Sequence, residues 1–226
     1  MKKFIYMVAS LAFLTACHST TTTENKVEST QTAASTEQTT VTTQKSNGEA
    51  DLSLGIQMVV NKKHKLPADY NPGENPIAGE KVRELIQKMQ ELGFSISNQY
   101  SGFRSYEYQT QLYQNYVNKD GKEAADTYSA RPGYSEHQTG LAFDILNDSG
   151  GLLGENPQDA KAIEWLHSHA HEYGFIVRFQ EGKEAITGYQ AEAWHLRYVG
   201  DIAEKIYTSK QTLEEYFGVE GGNYAD

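Results

Sequence analysis

Two histidine-bearing runs, far apart in sequence, constrain this chain more than any other feature. The first is Tyr134-Ser135-Glu136-His137-Gln138-Thr139-Gly140-Leu141-Ala142-Phe143-Asp144, with Gly140 between a histidine and an aspartate. The second is Glu192-Ala193-Trp194-His195. His137 and Asp144 converge if the chain turns at Gly140 and enters a strand, and the fold must bring the later run to the same place. Two imidazoles and one carboxylate form a donor set suited to zinc with its fourth position open to water. Glu192 is then left over, and a hydrolytic site needs such a carboxylate as general base. Residues three apart on a flat strand point to opposite faces. Glu192 is therefore expected on a loop or bend ahead of the strand that carries His195.

The surrounding pattern mixes helices and strands. Ala78 to Leu92 places Val82, Leu85, Ile86, Met89 and Leu92 on a helical stripe, stopped by Gly93. Phe94 to Gly102 is strand-like, with Phe94, Ile96 and Asn98 on one face. Ser105 caps a second helix reaching about Asn118, and Gly121 breaks it. Leu141 to Leu146, Phe175 to Phe179 and Ala193 to Val199 read as strands. Pro157 to Tyr173 reads as a third long helix closed by Gly174, and Asp201 to Tyr207 as a closing helix. Regular βαβ spacing is missing. The expected fold is therefore α+β, a single domain with a small central antiparallel sheet flanked by helices.

The N-terminus differs from this domain. Lys2 and Lys3 precede an apolar run, Phe4 to Leu14, that is short for a membrane-spanning helix. It ends in Leu14-Thr15-Ala16-Cys17, which resembles the lipobox of bacterial lipoproteins, and Cys17 is the one cysteine of the chain. That resemblance implies a signal over residues 1–16, lipidation of Cys17, and anchoring at the extracellular face of the bacterial cytoplasmic membrane, within the cell wall. From Cys17, residues 17–51 are rich in Thr, Ser, Gln and Glu without apolar periodicity, so they cannot bury enough surface to offset ordering entropy. A disordered tether of this length would span about 30 Å as a flexible coil and somewhat over 100 Å if stretched. Residues 52–226 then form the folded domain.

A formal net charge of −10 argues against nucleic acid as a partner, because a phosphate backbone calls for clustered Lys and Arg. His167 and His171, four apart, could chelate a metal, but no glutamate follows the first histidine. They read as a solvated helix face. Among 15 tyrosines, Tyr134 and Tyr189 flank the two motifs and stand out as groove residues.

Together the runs resemble the Ser-x-His-x-x-Gly-x-Ala-x-Asp and Glu-x-x-His signatures of VanY-type carboxypeptidases, relatives of lysostaphin-type endopeptidases and the hedgehog signalling domain. Ser135, His137, Gly140, Ala142 and Asp144 meet the first signature, and Glu192 and His195 the second. Ser101-Gly102-Phe103-Arg104-Ser105 and Trp194-His195-Leu196-Arg197-Tyr198 look like the same family, over essentially Leu52 to Phe217. One departure is Ala193, where many relatives carry proline.

The resemblance implies zinc held by His137, Asp144 and His195 in a cleft on the sheet, with Glu192 as general base. Arg104 would grip the substrate's terminal carboxylate bidentately. Ser135 would add a hydrogen bond, and Gln109, one turn beyond Ser105, would face the substrate. The implied reaction removes the C-terminal D-Ala from peptidoglycan stem peptides by attack of zinc-bound water. Ala185-Ile186-Thr187-Gly188-Tyr189 looks closer to the streptococcal-type L,D-carboxypeptidases, which act on tetrapeptide stems. A D,D-carboxypeptidase on pentapeptide stems, a zinc-containing non-catalytic wall-binding module and a cross-bridge endopeptidase are the alternatives. A monomer is expected.

Overall fold

The computed structural model describes residues 48–225. The signal, Cys17 and nearly all of the tether lie outside them. Packed structure begins slightly before Leu52, since Glu49 bridges to Lys65 and Ala50 is buried. No helix among the described residues is long and apolar enough to cross a membrane.

The elements in chain order are α1 (Pro76–Glu91), β1 (Ile96–Ser101), α2 (Tyr106–Asp120), α3 (Lys122–Tyr128), β2 (Ala142–Asn147), α4 (Ala160–His169), β3 (Phe175–Phe179), α5 (Glu184–Thr187), β4 (Glu192–Tyr198), α6 (Ala203–Ser209) and α7 (Leu213–Phe217). The four strands form one sheet in the order β1-β2-β4-β3, and every neighbouring pair is antiparallel. This is the α+β architecture expected from the sequence.

Local signals explain the best-defined elements. The Asn75 side chain accepts from Ile77 N and Ala78 N at 3.1 and 3.0 Å, and Pro76 follows at a position with no hydrogen bond to lose. Ala78, Val82, Leu85, Ile86 and Met89 form the buried stripe of α1, whereas Leu92, read as its last member, is exposed at the helix end. The helix read over Pro157 to Tyr173 is shorter than expected. An Asn156–Asp159 capping box opens a 3-10 turn, and α4 gives way to a second 3-10 turn, Ala170–Tyr173, ahead of Gly174. The strand read from Phe94 is also trimmed, to Ile96–Ser101. Helix α3 was not legible in the pattern, because only Ala125 of its seven residues is buried.

Alternation along the strands gives the sheet two unlike faces. Phe143, Ile145, Phe175 and Leu196 join α1 and α4 in the main core. Ala142, Asp144, Ile176, Arg178, His195 and Arg197 occupy the intervening positions. That second face carries the charged array, with Ile176 packed beside α6 and α7.

Candidate active site

Three backbone features bring the two sequence runs together. His137 leaves a 3-10 turn, Glu136–Thr139, that closes on Gly140 with φ 71°. A Cβ at Gly140 would overlap the Gly73 carbonyl, so the position requires glycine for its hand and for its close approach. Asn75 N donates to Gly140 O at 3.0 Å, docking this turn on the start of α1. Asp144 on β2 and His195 on β4 are cross-strand partners, so their side chains share a face.

Glu192 sits where the register is irregular. The sequence put Glu192 on a loop or bend ahead of the strand, whereas it is the first residue of β4 itself. Val177 pairs with Leu196 but Phe179 pairs with Glu192, so the ladder slips between them. The ladder is irregular here by two residues, and Glu192 Oε2 lies within 3.5 Å of His195 Nδ1.

The ligand atoms of His137, Asp144 and His195 lie within 4.8 Å of one another, and all three residues are buried. Their hydrogen bonds fix both imidazoles for ligation. His137 Nδ1 donates to Gly102 O at 2.7 Å, leaving Nε2 unprotonated and 3.3 Å from Asp144 Oδ2. His195 Nε2 donates to Glu136 Oε2 at 3.4 Å, leaving Nδ1 at 3.1 Å from Asp144 Oδ1. With both rings neutral, two nitrogen lone pairs face one carboxylate, whose buried Oδ1 has no hydrogen-bond partner. Only a positive charge among these atoms makes that arrangement favourable. Outer carbonyl and carboxylate partners of this kind usually orient zinc-binding histidines, and the donor set fits zinc.

The electrostatics agree. Burial works against charge on His195, but the Asp144 and Glu136 carboxylates on either side prevail and raise its pKa to about 9, so positive charge is favoured at Nδ1, where a proton and a metal ion would compete. Burial would also raise Asp144, yet His137 and His195 hold its carboxyl well below the usual range. Glu136 is buried too, and the guanidiniums of Arg178 and Arg197 keep it ionised. Its Oε1 accepts from Arg178 Nε and Arg197 Nη1, both at 2.8 Å. Glu192 behaves differently: burial pushes its carboxyl up to about 7, the range in which a general base works best.

The same residues line a cleft of about 460 Å³ that also includes Arg104, Gln109, Ser135, Tyr134, Tyr189 and Trp194. Arg104 follows β1. Its Nη2 donates to Ser101 Oγ at 3.0 Å and closely to Asp144 Oδ2, anchoring one edge of the guanidinium beside the candidate metal site. Ser135 is buried at the cleft wall. Gln109 is also buried. Its amide donates to Ala130 O at 2.7 Å, and its Oε1 is without a partner. Thus Arg104, Gln109, Ser135, His137, Asp144, Glu192 and His195 all reach one cleft, and Cys17 lies outside the described residues.

The His167–His171 pair does not form a rival centre. His171 lies beyond the end of α4, stacked on Tyr207 at 3.9 Å and paired with Glu204 at 3.0 Å. Its side chain is not a solvated face, as the sequence suggested, although His167 remains exposed. Sequence reading missed the supporting charges Glu136, Arg178 and Arg197. The available signal was an arginine within each apolar strand, Phe175–Phe179 and Glu192–Tyr198, where a charge needs a buried partner.

The family model for VanY, D-alanyl-D-alanine carboxypeptidase, matches residues 73–201. The chain belongs to the VanY family. A putative carboxypeptidase of Bacillus subtilis, YodJ, is 36% identical over 183 residues, covering 72% of this chain and 67% of that protein. The L,D-carboxypeptidase DacB from Streptococcus pneumoniae is 61% identical, with a TM-score of 0.71 over 74% of this chain and 89% of that one. A zinc-bound variant of the vancomycin-resistance D,D-pentapeptidase VanY is 32% identical, with a TM-score of 0.60 over 71% and 97% of the two chains. The enzyme class follows from the family and the donor set: a zinc metallocarboxypeptidase.

Proposed function

We propose that this zinc carboxypeptidase trims peptidoglycan stem peptides, removing D-Ala from the end of a tetrapeptide as an L,D-carboxypeptidase. The observation that carries the reading is the convergence in one cleft of His137, Asp144 and His195 with Glu192 and Arg104. The 61% identity to an L,D-carboxypeptidase, against 32% to a D,D-pentapeptidase, supports the L,D preference.

His137 Nε2, His195 Nδ1 and the Asp144 carboxylate would hold the zinc. When bound, zinc lowers the pKa of water to about 7 and polarises a carbonyl. Glu192 takes the proton of the attacking water and returns it to the nitrogen of the departing D-Ala. The scissile C–N bond breaks as a new C–O bond forms, with no covalent enzyme intermediate. Arg104 binds the terminal carboxylate of the substrate, aided by Ser135. The partnerless Oε1 of Gln109 accepts a substrate N–H. Such a carboxylate receptor beside the reacting centre suits an exopeptidase rather than a cross-bridge endopeptidase, and Glu192 favours catalysis over a purely binding role.

Defined tetrapeptide and pentapeptide stems incubated with the protein, with products weighed by mass spectrometry, test the reading. Loss of one alanine from the tetrapeptide is expected. Loss only from the pentapeptide would replace it with a D,D assignment. Residues 1–51 supply the location in this reading: Cys17 carries the lipid, and the following segment lets the domain reach into the wall. Radiolabelled fatty acid should enter the parent chain but not Cys17→Ala, and equal labelling would sink the anchor.

A further inference from the structure

The last residues of the chain take no part in the chemistry above, yet they pack against both walls of the cleft. Tyr224 meets Tyr134 edge-on, with ring centroids 5.1 Å apart. Its hydroxyl accepts from Arg131 N at 2.9 Å, and the Arg131 guanidinium lies 3.8 Å from the ring centre. On the other side, Lys62 Nζ lies 5.2 Å from the Tyr224 ring and 4.3 Å from the Tyr189 ring. Lys62 also donates to Asp126 O at 2.6 Å and closely to Gly188 O, tying α3 to the end of α5. Tyr134 precedes Ser135, Tyr189 stands just ahead of Glu192, and both line the cleft. One tail side chain thus touches the first wall at Tyr134 and reaches Tyr189 on the second both through the buried Lys62 and directly.

The backbone of the tail is held as firmly. Gly222 N donates to Ile186 O at 2.6 Å, and Asn61 Nδ2 donates to Glu220 O at 3.1 Å. A Cβ on Gly221 would overlap the Ile186 carbonyl, and one on Gly188 would overlap the Gly222 carbonyl. Two chain segments pass here at a spacing that only glycine permits. Tyr224 is held by Tyr134, Arg131, Lys62 and Tyr189 rather than by His137, Asp144, His195, Glu192 or Arg104, so it can act on substrate position without acting on the metal.

We infer that the C-terminal tail is a positioning element of the substrate cleft, with Tyr224 setting the placement of Tyr134 and Tyr189 against the bound stem peptide. Tyr224 works through those two residues and is not catalytic. The inference rests on the cleft being the stem-peptide site.

Steady-state kinetics on a stem peptide, with zinc content and melting temperature measured alongside, test it in the full chain. In Tyr224→Ala, KM should rise about tenfold while kcat and bound zinc stay within about twofold of the parent, the pattern of lost binding that is equal in ground and transition states. Tyr224→Phe keeps the ring and should recover most of the affinity. Gly221→Ala, which displaces the tail with Tyr224 intact, should reproduce the rise in KM. Unchanged KM in both Tyr224→Ala and Gly221→Ala would overturn the inference. So would a parallel loss of kcat and zinc, which marks general loosening of the domain. A parent that cleaves no stem peptide would instead remove the substrate reading on which the inference stands, and the inference with it.

Discussion

Replacing Glu136 by glutamine keeps the shape of the side chain and removes one buried charge. The carboxylate joins Arg178 Nε and Arg197 Nη1 at Oε1 and receives His195 Nε2–H at Oε2. In Glu136→Gln, the amide oxygen can still accept from the two guanidiniums, so its NH2 turns toward His195. A donor then faces a donor. His195 relieves the clash by moving its proton to Nδ1, the nitrogen that the metal needs.

Two consequences follow, with separable magnitudes. Arg178 keeps its bidentate pair with Glu214 at 2.8 and 2.6 Å, whereas Arg197 keeps only backbone carbonyls, including Met58 O at 2.7 Å. Breaking a buried ion pair by removing one partner destabilises by about 3–5 kcal/mol. The retained Glu214 pair puts this case near the lower end, a fall in Tm of roughly 6–12 °C for a domain of this size. Loss of the outer partner of a metal-binding histidine weakens metal affinity by about 10–100-fold. Thermal melts give the first quantity, and competition with a chromophoric chelator gives the second. Zinc affinity equal to the parent's would refute the role of Glu136 in orienting His195, whatever happens to Tm.

Glu192→Gln should keep its zinc and lose about 10²–10⁴-fold in kcat, the usual contribution of a general base; activity within tenfold of the parent, or loss of bound zinc, would contradict that assignment. Acid should unfold the domain through Glu136 and Asp144. Both carboxyls titrate lower in the folded protein than their ordinary values of 4.5 and 3.8, so the folded state binds fewer protons across that interval. Their contribution is complete above those values and declines as pH falls below them. Urea midpoints measured from pH 6 to pH 3 should fall steeply below about pH 4.5, and a flat profile would mean that the ion network adds nothing to stability.

Local structure was legible wherever one residue type answers one local requirement. Asn75 and Pro76 open α1, Gly93 and Gly174 end their segments at φ 85° and 82°, and Gly140 turns the chain into β2. The apolar spacing of Val82, Leu85, Ile86 and Met89 fixed the buried face of α1 because helical period depends only on order along the chain. Leu92 escaped that logic, since burial at a helix end depends on what lies beyond it. The broken helix around Ala170 was invisible for a similar reason: no proline or glycine marks the change from α to 3-10 geometry inside Ala160–Tyr173.

Residue types and spacing suggested a donor set with a spare carboxylate, and the resemblance to VanY-type signatures assigned their roles, because metal ligation and proton transfer demand particular functional groups. The tertiary structure decided how those groups act. Cross-strand register sets Asp144 beside His195, and the irregular start of β4 leaves Glu192 Oε2 within 3.5 Å of the His195 ring. Strands distant in sequence place Arg178 and Arg197 around Glu136, which in turn engages His195 Nε2 and leaves Nδ1 facing Asp144. The tail meets Tyr134 directly and Tyr189 both directly and through Lys62, although its residues are remote from both motifs in the sequence. The physical division is one of range: a side chain's chemistry belongs to the residue, whereas its charge state, tautomer and direction depend on neighbours that folding brings together.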